Sequence, residues 1–240
     1  MKIPCLSKGF FVACKSNDKI DKMRFKPFLL VIVLLLQIAT PSFGQQQFAE
    51  GAIVYKVSIS NPAQADQYTP AGTYTIYLKG SQIRKELKLK SGYENITIIN
   101  GGNNTVYSLK NNAGNNLAIQ PDYKEFTAPE KKYEGFILAN EGEGNNIASY
   151  KSKKGKVKYK GGSTVQLLYT DEVQLVEPAI FERYPGITVL PLSFEVTSDD
   201  GVKMRFDAEK IESKPVESAL YRIPADYKII SNKEYKELSK

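Results

Sequence analysis

The acidic residues that stand close together in this sequence are Glu141 and Glu143 in the run Glu-Gly-Glu-Gly-Asn-Asn, and the pairs Asp171-Glu172 and Asp199-Asp200. Two carboxylates can share general acid and base work on a glycosidic bond, and clustered acidic oxygens can hold calcium. Neither chemistry is selected here. The Glu141 run lacks the ligand spacing of an EF-hand loop. A solvated Gly/Asn loop, a charged strand end and an Asp-Gly hairpin turn account for the three sites. The chain has no histidine, which excludes Ser-His-Asp triads, Cys-His dyads, histidine metal ligands and histidine pH switches. There is no Gly-x-Ser-x-Gly nucleophile elbow, phosphate loop or dinucleotide fingerprint. The residues therefore read as a protein that is not an enzyme, with no catalytic residue, no metal site and no cofactor.

Two other residue classes recur. Lys151, Lys153, Lys154, Lys156, Lys158 and Lys160 would suit a polyanion, but their alternation with Val157 and Tyr159 reads as the solvated face of a strand. Among the fifteen tyrosines, Tyr55, Tyr74, Tyr159, Tyr169 and Tyr221 fall on positions expected to face inward. Such residues either fill a core or line an apolar cavity.

The elements that position these residues are strands. Ile53, Tyr55, Val57 and Ile59 alternate with Val54, Lys56, Ser58 and Ser60. The same two-residue period runs through Tyr74–Leu78, Ile83–Leu89, Ile96–Ile98, Val106–Leu109, Val157–Tyr159, Val165–Tyr169, Leu190–Val196, Val202–Ala208 and Ala219–Ile223. Gly80-Ser81, Asn100-Gly101-Gly102-Asn103, Asn111–Asn116, Gly161-Gly162 and Asp200-Gly201 supply the turns between them. About ten strands with one apolar face imply an antiparallel sheet that must cover that face. Helix signals are few. Pro178 to Tyr184 reads as one or two helical turns, Asn232 reads as the N-cap of a helix over 233–238, and 127–148 reads as a long loop or partly formed segment. The fold class expected is mainly β: a single antiparallel sheet curled into an incomplete half-barrel with a few short helices.

The amino-terminal part carries a different message. Residues 29–36, Leu-Leu-Val-Ile-Val-Leu-Leu-Leu, follow Met23, Arg24 and Lys26 and precede Ser42-Phe43-Gly44. A basic start, a short apolar run and small residues before the junction describe a secretory signal peptide with cleavage between Gly44 and Gln45. Met23 is a natural alternative to Met1 as the start. Removal of 1–44 takes away seven basic and two acidic residues, so the net charge falls from +7 to +2. That excludes a strong electrostatic case for nucleic acid. It also takes away Cys5 and Cys14, the only cysteines, leaving a 45–240 domain without disulfides or thiol chemistry. The expected product is exported, periplasmic or otherwise extracytoplasmic, and does not span the membrane after cleavage.

Ile147-Ala-Ser-Tyr-Lys-Ser-Lys-Lys154, Gly162–Thr170, Tyr184-Pro-Gly-Ile187, Leu190–Glu195 and Tyr221-Arg-Ile-Pro-Ala-Asp-Tyr-Lys228, with the leader and the opening strand Gly51–Ile59, carry a family resemblance. They resemble an uncharacterised family of exported proteins of Bacteroidetes-type bacteria, itself similar to the LolA/LolB-like lipoprotein-carrier superfamily. The resemblance implies a half-barrel whose concave apolar face accepts a lipid or a lipoprotein acyl chain. The expected lining is Tyr55, Ile76, Leu87, Leu192, Phe194 and Phe206. With no charged anchor evident in the sequence, binding by burial alone would depend little on salt. The alternative is a cell-envelope structural or protein-interaction module with a filled core and no ligand.

Overall fold

Alternation in the sequence becomes alternation of burial in the structure, a computed structural model that describes residues 45–61, 64–112, 114–177, 180–198 and 201–238. The longest hairpin joins β2 (Glu50–Asn61) to β3 (Gln64–Lys79), paired from Glu50↔Lys79 to Asn61↔Gln64. Ile53, Tyr55 and Val57 of β2 and Ile76 and Leu78 of β3 are buried on one side, because successive side chains of a strand point to opposite faces. Beyond β3 the chain meanders through β4 (Gln82–Leu89), β5 (Glu94–Asn100), β6 (Thr105–Asn112) and β7 (Asn115–Gln120). On the other flank of β2 lie β12 (Lys203–Glu212), β11 (Val189–Thr197), β10 (Thr164–Leu175), β9 (Lys153–Lys158) and β8 (Ile137–Glu143).

Two short strands pair in parallel at the margins of this antiparallel array. β1 (Gln46–Phe48) runs beside the end of β10, and β13 (Lys228–Ser231) beside β7. The result is one thirteen-stranded sheet, not closed into a barrel. Among the described residues two short α-helices accompany it, α1 (Tyr123–Thr127) and α2 (Asn232–Leu238). No helix among the described residues is long and apolar enough to cross a membrane.

The curl of the sheet follows from its core. One continuous cluster holds Val106 of β6, Ile99 of β5, Ile76 of β3, Leu192 of β11 and Val157 of β9. β6 and β9 stand near opposite ends of the strand order, so a flat sheet would keep them apart. Bulges at Val57/Ser58, Ala208/Lys210 and Leu168/Tyr169 add the local twist that bending requires. The concave side is closed by Ile180, Phe181, Tyr184 and Ile187, all buried. At roughly 1.5–3 kcal/mol for each large apolar side chain taken from water, this cover is part of the fold. Gly51 shows how tightly the start of β2 packs: its φ is +153°, and a Cβ there would lie 2.1 Å from the Glu212 carbonyl oxygen.

A second, smaller core occupies the opposite face of the meander. Ile96 and Ile98 of β5, Leu109 of β6 and Ala118 of β7 pack against Val216 and Tyr221. Bonds at Val216 and Leu220 anchor the covering segment to β2, β3 and β4. Val216 N–H donates to Glu50 (2.9 Å), Lys79 donates to the Val216 carbonyl (2.8 Å), and Arg84 donates to the Leu220 carbonyl (2.8 Å). The bond from Val216 holds the Glu50 carboxyl below the usual carboxylate range.

Several expectations are corrected. Residues 219–223 form no strand: Ser218–Tyr221 is a 3₁₀ turn, and Tyr221 sits in the outer core rather than on the concave side. Within 127–148, expected as a long loop or partly formed segment, Ile137–Glu143 pairs with β9 as an edge strand, its register shifted between Asn140 and Gly142. The cap of α2 is Ser231 rather than Asn232. Ser231 Oγ accepts from Glu234 N–H (3.1 Å) while Glu234 accepts from Ser231 N–H (2.7 Å), a reciprocal capping box. Pro178 and Ala179 lie outside the described residues. From Phe181 the chain turns, with Tyr184 N–H donating to the Phe181 carbonyl (3.0 Å).

Candidate functional site

Strands β10 and β11 part company before either ends. β10 pairs with β9 as far as Thr164↔Lys158, and β11 pairs with β12 as far as Thr197↔Lys203. Between β10 and β11 the register begins only at Leu167↔Phe194. Thr164–Gln166 and Glu195–Thr197 thus form two lips facing each other without a shared ladder. A groove of about 810 Å³ opens there, within the size range of small-molecule sites.

The floor of the groove is apolar and aromatic. Leu167 and Phe194 contribute from the last paired position, Tyr159 from just beyond β9, Tyr184 from the cover and Tyr133 from the Lys131–Tyr133 turn. The Tyr133 and Tyr159 rings are 5.4 Å apart, and those of Tyr184 and Phe194 are 6.0 Å apart at 90°. Burial pushes the Tyr159 and Tyr184 hydroxyls well above their ordinary pKa, so both stay neutral. Gly155 lies against this wall. A Cβ there would meet Leu138 at 2.7 Å and the Tyr169 ring at 3.0 Å, which explains a glycine inside a strand.

Arg183 ties the floor together. Its guanidinium donates to the Tyr133 hydroxyl, and its carbonyl accepts from the Tyr159 hydroxyl (2.7 Å). It also stacks over the Tyr133 ring, with Cζ 5.4 Å from the centroid. Around the mouth stand Lys132, Lys154, Lys203 and Arg205, with Glu141 and Glu195 as the acidic members.

Of the six residues expected to line a hollow, Tyr55, Ile76 and Leu192 are each 0% exposed within the core. The Tyr55 hydroxyl donates to the Pro191 carbonyl (2.8 Å). Phe194 and Phe206 stack with centroids 5.0 Å apart and planes 8° apart, and Leu87 is half-buried. Phe194 alone of the six also borders the groove. Gln45 is exposed at the start of the described residues, and Gly44 lies outside them. The acidic candidates do not converge. Glu141 sits 3.8 Å from Lys156, Asp171 pairs with Lys153, and Asp199 and Asp200 are outside the described residues. Among the described residues no group of three acidic, cysteine or histidine side chains is placed to hold a metal.

Tyr133 and Arg183 were not legible as site residues, because they lie in irregular segments where no period marks a face. Tyr159 and Leu167 carried the inward signal of their strands, but nothing local announces that β10 and β11 separate beside them. Compared with known proteins, the chain matches no protein-family model and no curated protein sequence.

Proposed function

We propose that this protein is a non-enzymatic, exported binding protein that holds an apolar chain, such as a lipid or lipoprotein acyl chain, in the groove between β10 and β11. The observation that carries the reading is the groove itself, whose floor of Leu167, Phe194, Tyr159 and Tyr184 belongs to the hydrophobic core yet borders an open volume of about 810 Å³. The resemblance to lipoprotein carriers and the leader-like run at 29–36 agree with it. The packed side chains of Tyr55, Ile76 and Leu192 move the proposed binding place from the middle of the concave face to this margin.

Displacement of a fluorescent fatty acid by a chain-length series tests the proposal. Each methylene buried contributes about 0.8 kcal/mol, so affinity should rise about fourfold per carbon until the groove is full. Absence of binding at every chain length, below the concentrations at which the acids self-associate, would remove it. The packed concave face would then favour the second reading, a cell-envelope interaction module with a filled core.

A further inference from the structure

We infer that the groove selects an anionic amphiphile: a single apolar chain ending in a carboxylate or phosphate, with the head held by Arg183 and the tail along Leu167 and Phe194. The inference rests on the binding function proposed above and adds the chemical class of the ligand. It starts from the charge around the site. Five cationic side chains border the groove against two carboxylates, Glu141 and Glu195. Some of that charge is already engaged. Lys132 pairs with Glu130 (2.7 Å), Arg205 pairs with Asp207 (3.1 Å), and Glu195 accepts from Tyr68 (2.7 Å).

Arg183 differs from these. It is half-buried, and its guanidinium bonds the Tyr133 hydroxyl, with no carboxylate partner among the described residues. Lys132 adds a second cation over the same ring, 5.0 Å from its centroid. A guanidinium has five donors and cannot lose its proton, and a half-buried charge gains from an anionic partner that offers paired oxygens. The phenol ring and the Tyr159 hydroxyl, which bonds the Arg183 carbonyl, hold the residue in place before any ligand arrives. An apolar floor with a fixed, unneutralised cation in its wall is complementary to a molecule with both properties. A neutral lipid tail satisfies only the first.

The test compares a fatty acid, the monoalkyl phosphate and the fatty alcohol of equal chain length by calorimetry on the full secreted chain. Acetate and inorganic phosphate serve as chainless probes. Acid and alkyl phosphate should bind at least tenfold more tightly than the alcohol, and only their affinities should fall with added salt. Arg183→Gln should narrow the gap between acid and alcohol by roughly tenfold to a hundredfold, while a loss shared equally by both ligands reports only on the floor that Arg183 helps to hold. Lys236→Gln in α2, which packs beside β13 and β7 and does not border the groove, should change neither. Because the salt dependence is read on the unaltered protein, the inference stays testable if Arg183→Gln does not fold. Equal affinity for acid and alcohol would overturn the selection of an anion while leaving the groove as a binding site. Competition by acetate or inorganic phosphate as strong as by the long-chain acid would overturn the amphiphile in favour of a simple anion site. An undiminished gap in Arg183→Gln would overturn the role of Arg183, and failure of all chains to bind would remove both this inference and the function beneath it.

Discussion

Lys85 offers a sharp test of how the concave side is built. It occupies an inward position of β4 between Ile83 and Leu87, with its side chain 7% exposed, and it pairs with Glu182 of the cover, whose side chain is 49% exposed. Replacing Glu182 by Gln leaves the ammonium buried with its countercharge gone. Removing one partner of a fully buried pair costs about 3–5 kcal/mol, and of an exposed pair about 0–1 kcal/mol. Glu182 is half in water, which screens the pair and can partly replace the lost oxygen, so Glu182→Gln should cost about 2 kcal/mol. Lys85→Met removes the buried charge itself and keeps an unbranched chain of similar length, so it should be neutral within about 1 kcal/mol. The double variant should recover most of the loss, since with the ammonium gone nothing is left uncompensated. Urea unfolding followed by circular dichroism reads these differences directly, with the slope on denaturant unchanged. For a domain of this size the single loss corresponds to a melting shift of about 4–8 °C. A silent Glu182→Gln beside a strongly destabilising Lys85→Met would show that Lys85 acts through packing and that the charge argument is wrong.

Three further outcomes are expected. Phe206→Asp, on the concave face, should cost at least about 3 kcal/mol from lost burial and an unpaired charge, while Lys203→Asp on the outer face should stay within about 0.5 kcal/mol; equal melting losses would contradict the register. Burial raises the Tyr55, Tyr159 and Tyr184 hydroxyls above the ordinary phenol value, so the stability tied to their neutral forms is complete below about pH 10 and is lost as pH rises toward the folded-state values. Phenolate absorbance should therefore rise in two stages, the buried group only on unfolding, and a single smooth titration would refute their burial. If the chain is exported as proposed, amino-terminal sequencing of the product should begin at Gln45, allowing for cyclisation of that glutamine, and retention of residues 29–36 would contradict cleavage.

Much of the sheet was readable before any coordinate, because in an antiparallel strand with one buried face the period of two is also the map of the core. That is why Ile53, Tyr55, Val57, Phe194 and Phe206 fall where the alternation put them. The same rule failed where both faces are covered. Ile98 and Ile99 are neighbours and both buried, one in each core, and the outer core depends on a segment, 213–227, whose short alternation over Ala219–Ile223 pointed to a strand where a 3₁₀ turn forms. Lys85 was invisible for a related reason. A lysine at an inward position reads as a flaw in the pattern until the partner, 97 residues away in sequence, is seen beside it. The groove was the least legible feature, since it arises from where two ladders end, a relation between strands that no single stretch of residues encodes.

The chain contains no tryptophan, which makes one placed at the groove an unambiguous reporter of the central claim. Val165→Trp sets the indole on the β10 lip of the groove, and Ile229→Trp sets one on β13 at the far edge of the sheet. A long-chain fatty acid brominated at mid-chain quenches indole only at close range. If an apolar chain lies between β10 and β11, titration below its self-association concentration should saturably quench the Val165→Trp variant and leave the Ile229→Trp variant unaffected. No quenching at position 165, or equal quenching at both positions, would contradict the account.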